Sequence, residues 1–134
     1  MIGILLITHE GIGEALLSTL NGILGQQPEQ LVVYSLINDC DKQISINKIQ
    51  MLAASLDDGD GLLVLTDLCG ATPHNRAVAA SLPSKTELVS GINLPMLIKA
   101  ISYRHLELAD LALKVANGAK DCIVVGECNE TERT

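Results

Sequence analysis

The chain has 134 residues, a formal net charge of -7 and 48% hydrophobic residues, yet no Trp or Phe and only two tyrosines, Tyr34 and Tyr103. This balance excludes the basic, base-stacking surfaces that hold DNA, RNA or anionic lipid, and no apolar run reaches the roughly 18 to 20 residues that cross a bilayer. One domain is expected, residues 1–126 with a polar tail at 127–134, burying an aliphatic core and roughly 70% of the surface the unfolded chain exposes.

The N-terminus has no basic region or cleavage site, so a cytoplasmic protein without membrane insertion is expected. Cys40, Cys69, Cys122 and Cys128 show no C-x-x-C spacing and no nearby histidine pair, which makes them reduced thiols. Neither a metal nor a cofactor is expected.

In chain order, Ile2 to Ile7 is an unbroken apolar run that makes a strand buried on both faces, and Gly11 and Gly13 let the backbone turn sharply into a helix. His9 therefore stands at the carboxyl end of a strand, the sheet edge where open α/β folds bind ligands. An imidazole there serves as nucleophile, base or metal ligand, or merely closes a turn. From Gly11 to Gly25 the apolar residues recur at three and four residue steps, a helix with a C-terminal glycine. Gln30 to Ile37 reads as a second strand. Asn38 to Asp41 is a polar turn in which Asp39 or Asp41 caps the helix that Ile44 to Leu56 suggests.

Asp57 to Gly61 is a turn, and Leu62 to Thr66 a third buried strand ending in Asp67. In the following LCGATPHNRA, Thr72 is suited to cap a helix and Pro73 to fill its first turn, so a helix from Pro73 to about Leu82 would aim free N–H groups at the sheet edge. With the small Gly70 and Ala71 before it, that helix start is a candidate anion seat. Glu87 to Gly91 gives a short fourth strand, Asn93-Leu94-Pro95 opens a helix to about Ser102, and another helix runs from Leu106 to Asn117 and stops at Gly118. Cys122 to Val125 reads as a last short strand. This alternation calls for a three-layer α/β/α, doubly wound, mostly parallel sheet of four strands plus the C-terminal one. His9, the Asp39 loop, Asp67 and the Gly91 to Pro95 loop would meet at one edge.

A histidine becomes a good nucleophile when one ring nitrogen donates to a carboxylate. Asp67 can orient His9 in this way, leaving the other nitrogen to attack phosphorus while Thr72 and the helix N–H groups hold phosphoryl oxygens. There is no Walker loop or kinase lysine, so the phosphoryl donor would be something other than ATP.

Three separated motifs, THEGIGEALL, LTDLCGATPHN and GINLPML, together resemble the mannose family of enzyme IIA proteins of the bacterial sugar phosphotransferase system, in order over nearly the whole chain. The resemblance implies that His9 accepts a phosphoryl group from the phosphocarrier protein HPr and passes it to a IIB component, with Asp67 supporting the imidazole. It also implies a doubly wound fold that forms a homodimer, in some members by exchanging a C-terminal strand, for which Cys122 to Val125 is the candidate.

Some positions depart from that pattern. Glu10 stands where glycine commonly follows the histidine, and its charge would oppose a phosphoryl dianion. Ala71-Thr72 replaces Gly-Ser and keeps a hydroxyl, and Cys69 replaces an aromatic. Asn75 matches the family motif and would brace the Asp67 loop or serve the helix start, while Asn93 is a candidate partner contact. His74 and His105 read as surface or helix-flank residues; Arg76 has the reach to hold a phosphate but reads first as an exposed helical arginine. With no linker to a IIB domain, the chain is expected to act on a separate partner. A free-standing regulatory role and the phosphotransfer subunit of a dihydroxyacetone kinase stay open. A histidine phosphatase would place Arg before the histidine, where this chain has Thr8.

Overall fold

The computed structural model describes residues 1–38 and 40–127. Four parallel strands, β1 (Gly3–His9), β2 (Leu31–Leu36), β3 (Leu62–Thr66) and β4 (Thr86–Ser90), form one sheet in the order β2-β1-β3-β4. Among the described residues five helices connect or follow them: α1 (Ile12–Leu24), α2 (Lys42–Leu56), α3 (Thr72–Ala79), α4 (Leu94–Ser102) and α5 (Leu108–Asp121). The two strands with uninterrupted apolar sequence, β1 and β3, are the central pair, and the less buried β2 and β4 are the edges. That placement follows from burial: only a strand covered on both faces needs apolar side chains at every position.

Side chains alternate along each strand and so feed two cores. Ile4, Leu6, Leu63 and Leu65 pack with Leu20, Leu97, Leu111 and Val115 from α1, α4 and α5. Leu5, Ile7, Leu62 and Val64 pack with Ile49, Ala53 and Ala77 from α2 and α3. The result is the expected α/β/α sandwich, with all crossovers parallel. At the amino edge of the sheet, Arg104 fastens the layers by donating to the carbonyls of Ile2 (2.8 Å), Glu29 (2.5 Å) and Gln30 (2.6 Å). Among the described residues no helix is long and apolar enough to cross a membrane.

Gly11 and Gly13 have different roles. Gly11 is the α1 N-cap at φ 88°, a left-handed conformation that side chains disfavour. Gly13 instead provides space, since a Cβ there would lie 2.6 Å from Val33 Cγ1 and 3.0 Å from Thr8 Oγ1. The sharp turn belongs to Gly11 alone.

Three local expectations are corrected. Helix α3 ends at Ala79 rather than Leu82: Ala80 is already extended at ψ 146°, three residues before Pro83. Gly118 does not stop α5, which continues to Asp121; the glycine sits inside the helix where a Cβ would come within 3.0 Å of Lys99 Cγ on α4. The Cys122 to Val125 segment is not a strand within this chain. Helix α5 takes up residues through Asp121, Cys122 caps it, and the next three residues pair with none of the described strands, leaving Ile123 76% and Val125 101% exposed. Of the tail, residues 128–134, including Cys128, lie outside the described residues.

Candidate functional site

The parallel register between β1 and β3 pairs Ile7 with Thr66, so the residues that follow, His9 and Asp67, emerge at the same carboxyl edge. His9 Nδ1 lies 2.7 Å from Asp67 Oδ2, and the same oxygen accepts the His9 backbone N–H at 2.9 Å. The Asp67 side chain is only 9% exposed, whereas that of His9 is 42% exposed. Burial alone would push the Asp67 carboxyl up, but the backbone N–H and imidazole of His9 outweigh it and hold the carboxyl below the ordinary range. An ionised Asp67 accepts from Nδ1–H and fixes the tautomer, so Nε2 carries the free lone pair.

Thr8, fully buried, locks the other side of the histidine. Its Oγ1 donates to the His9 carbonyl at 2.8 Å and accepts from the Gly13 N–H at 2.9 Å, tying the strand end to the first turn of α1. A buried threonine ending an apolar run just before a glycine turn is the sequence signal for this clamp.

On the β3 side, Thr72 does not cap α3. Ala71, at φ -81° and ψ 171°, occupies the N-cap without a side-chain bond, and Thr72 and Pro73 form the first turn. Pro73 has no N–H and Asn75 N–H is taken by Ala71 O at 2.9 Å, which leaves the Thr72 and His74 N–H groups as the helix-end donors. Gly70 is left-handed at φ 84°, and its carbonyl accepts from Asn75 Nδ2 at 2.9 Å, so Asn75 does brace the loop after Asp67. His74 is held more firmly than a surface residue, with Nδ1 2.9 Å from the hydroxyl of buried Thr66.

His9 borders a cleft of about 350 Å³ whose other walls are Thr72, Pro73 and Arg76 of α3 and Ile37, Asn38 and Cys40 of the β2–α2 loop. Arg76 is half-buried here and not a free surface arginine. Its Nη1 donates to Ser45 Oγ on α2 at 2.6 Å and lies 3.8 Å from Cys40 Sγ. Glu10 does not line this cleft; it borders a shallow apolar groove with Ile12, Ala15, Leu16 and Leu94. Asn93 caps α4, accepting from the Met96 N–H at 2.9 Å, and Ile92 N–H ties that loop to the Thr66 carbonyl at 3.0 Å. Asp41 caps α2 by accepting from Ile44 N–H at 2.9 Å. Asp39, the other candidate, lies outside the described residues. Among the described residues no cluster of three or more His, Cys, Asp or Glu side chains could hold a metal ion.

The family model described as the PTS system fructose IIA component, EIIA-man, matches residues 3–117. The chain belongs to this family. Within it, the chain is 31% identical over 104 residues to the PTS system mannose-specific EIIAB component of Escherichia coli strain K12, covering 77% of this chain and 32% of that protein. The chain thus spans about a third of the length of this mannose-specific relative. The PTS system fructose-specific EIIA component of Bacillus subtilis is 26% identical over 113 residues, covering 83% of this chain and 77% of that one. Among solved structures, phosphotransferase system component EIIA from Streptococcus agalactiae superposes with a TM-score of 0.81 at 31% identity, covering 93% of this chain and 97% of that chain. The mannose/sorbose specific IIA subunit from Enterococcus faecalis shares the fold, with a TM-score of 0.83 at 22% identity over 96% of this chain and 97% of that one. The match to the family model runs from the start of β1 into α5.

Proposed function

We propose that this IIA component carries a phosphoryl group on Nε2 of His9, received from the phosphohistidine of HPr and passed to a IIB component. The supporting observation is the 2.7 Å contact between His9 Nδ1 and the buried Asp67 carboxylate, on a ring that is 42% exposed at the mouth of the cleft. In the forward step the Nε2 lone pair attacks phosphorus in line with the donor P–N bond, a new P–N bond forms, and the electron pair of the old one returns to the donor imidazole. Asp67 offsets the positive charge that appears on the His9 ring. The Thr72 hydroxyl and the N–H groups at the start of α3, beside Gly70 and Ala71, are the donors for the equatorial oxygens. Transfer to IIB repeats the same exchange with this chain as donor.

Incubation with phosphoenolpyruvate, enzyme I and HPr should label the wild type on one histidine and leave His9→Ala unlabelled. A wild type that takes no label under these conditions would reject the proposal.

The proposal also includes a homodimer in which the Cys122 to Val125 segment pairs with a second copy. The exposed side chains of Ile123 and Val125 support it, because apolar side chains left in water gain by burial against a second copy. Sedimentation should give a dimer for the wild type and a monomer for Val125→Asp; a monomeric wild type at micromolar concentration would remove this element.

A further inference from the structure

We propose that Arg76 grips the phosphoryl group carried by His9, so that the cleft is an anion pocket built around one fixed guanidinium. This rests on phosphorylation of His9 and goes beyond it by giving a fixed role to a residue that the sequence reads first as an exposed helical arginine.

Four observations converge. Thr72 and Arg76 are four residues apart on α3, so they share the helix face that lines the cleft together with His9. The guanidinium is held in place, since Nη1 donates to Ser45 Oγ at 2.6 Å while that hydroxyl itself donates to the Lys42 carbonyl at 2.8 Å. Ser45 is 1% exposed, so its hydroxyl, with the Lys42 carbonyl as acceptor and the arginine as donor, anchors the guanidinium from inside the protein. Finally, the charge is needed there. The protein carries a net charge of -7 and Asp67 lies directly behind the imidazole, so a phosphoryl dianion on His9 enters a repulsive field. Among the described residues lining the cleft there is no carboxylate, and Arg76 is the side chain with permanent charge.

An arginine suits this task better than a lysine. Its planar fork offers two parallel N–H groups to two phosphoryl oxygens, and a fork already held by Ser45 loses less freedom when it binds. Thr72 and the α3 N–H groups then face the phosphoryl group from the helix end, with Arg76 one turn further along the same face.

The test starts from the wild type, phosphorylated with phosphoenolpyruvate, enzyme I and HPr. A wild type that takes no label refutes the phosphohistidine proposal before any variant is made, and Arg76 with it. With a labelled wild type, the equilibrium between phospho-HPr and this protein should shift roughly 10-fold toward phospho-HPr in Arg76→Gln, with part of the loss recovered in Arg76→Lys. In the unmutated protein the guanidinium NMR resonances of Arg76 should move on phosphorylation and stay in place when His9→Ala is treated identically. That second measurement decides the matter even should Arg76→Gln fold poorly. A labelled wild type whose Arg76 resonances do not move, or a folded Arg76→Gln with an unchanged equilibrium, would overturn the assignment.

Discussion

A single carboxylate oxygen, Asp67 Oδ2, accepts both N–H groups of His9, the backbone one at 2.9 Å and Nδ1 at 2.7 Å. The ring is therefore aligned with its own strand: the group that orients the imidazole is positioned by the peptide that bears it. Asp67→Asn keeps an acceptor oxygen but loses the charge that offsets an imidazolium. Initial labelling rates from phospho-HPr should fall about 10- to 100-fold, while far-UV circular dichroism stays unchanged.

The same contact gives a pH dependence of stability. The folded-state pKa of Asp67 is lowered, so the ionised form is favoured by folding. Its contribution is fully present above the ordinary carboxylate pKa of about 3.9 and is lost as pH falls through the lower folded value. Thermal denaturation should show wild type melting above Asp67→Asn at pH 6, with the gap narrowing below about pH 4. A gap that is constant from pH 6 to pH 3 would contradict the ionic contact.

Two glycines in one helix should respond in opposite directions to alanine. At Gly13 a Cβ would fall 2.6 Å from Val33 Cγ1, so Gly13→Ala should cost about 1 to 3 kcal/mol despite the better helix propensity of alanine. At Gly22 nothing lies within 4 Å, and Gly22→Ala should stabilise by about 0.5 to 1 kcal/mol. Urea unfolding of the two variants gives both signs in one experiment.

Thr8→Val removes the hydroxyl while keeping the shape of a fully buried side chain. The Gly13 N–H and the His9 carbonyl would lose partners at 2.9 and 2.8 Å, a loss of about 1 to 3 kcal/mol by chemical denaturation. Because both bonds set the strand end that presents His9, labelling by phospho-HPr should also slow.

Arg104→Met breaks three bonds to backbone carbonyls at the opposite end of the sheet. Stability should fall by about 2 to 3 kcal/mol, yet the labelling rate of the folded fraction should match the wild type. A parallel loss of labelling would mean that the two sheet edges are coupled.

Much of this arrangement is legible in the sequence because unbroken apolar runs can only be central strands, and in a parallel sheet their ends must face one way. His9 and Asp67 each follow such a run, so their meeting is foreseeable before any contact is known. Asn75 bracing the loop and Asp41 capping α2 follow from short-range chemistry. Arg76 is different. Its setting depends on Ser45, 31 residues away on another helix, and no local pattern reports that the guanidinium is tied down. The same holds for Gly118, which looks like a helix stop until Lys99 of α4 is seen packed against it. The Cys122 to Val125 segment has the composition of a strand, but strand formation requires a neighbour, and α5 extends further than that glycine suggests.

The ring of His9 offers one nitrogen to the outside, the other being committed to Asp67. On the proposed route, then, donor and acceptor must take turns at the same atom, and each must leave before the other arrives. Steady-state transfer should accordingly give parallel double-reciprocal lines when HPr and the IIB partner are varied, and a large excess of either unphosphorylated partner should slow traffic by occupying the one approach to Nε2.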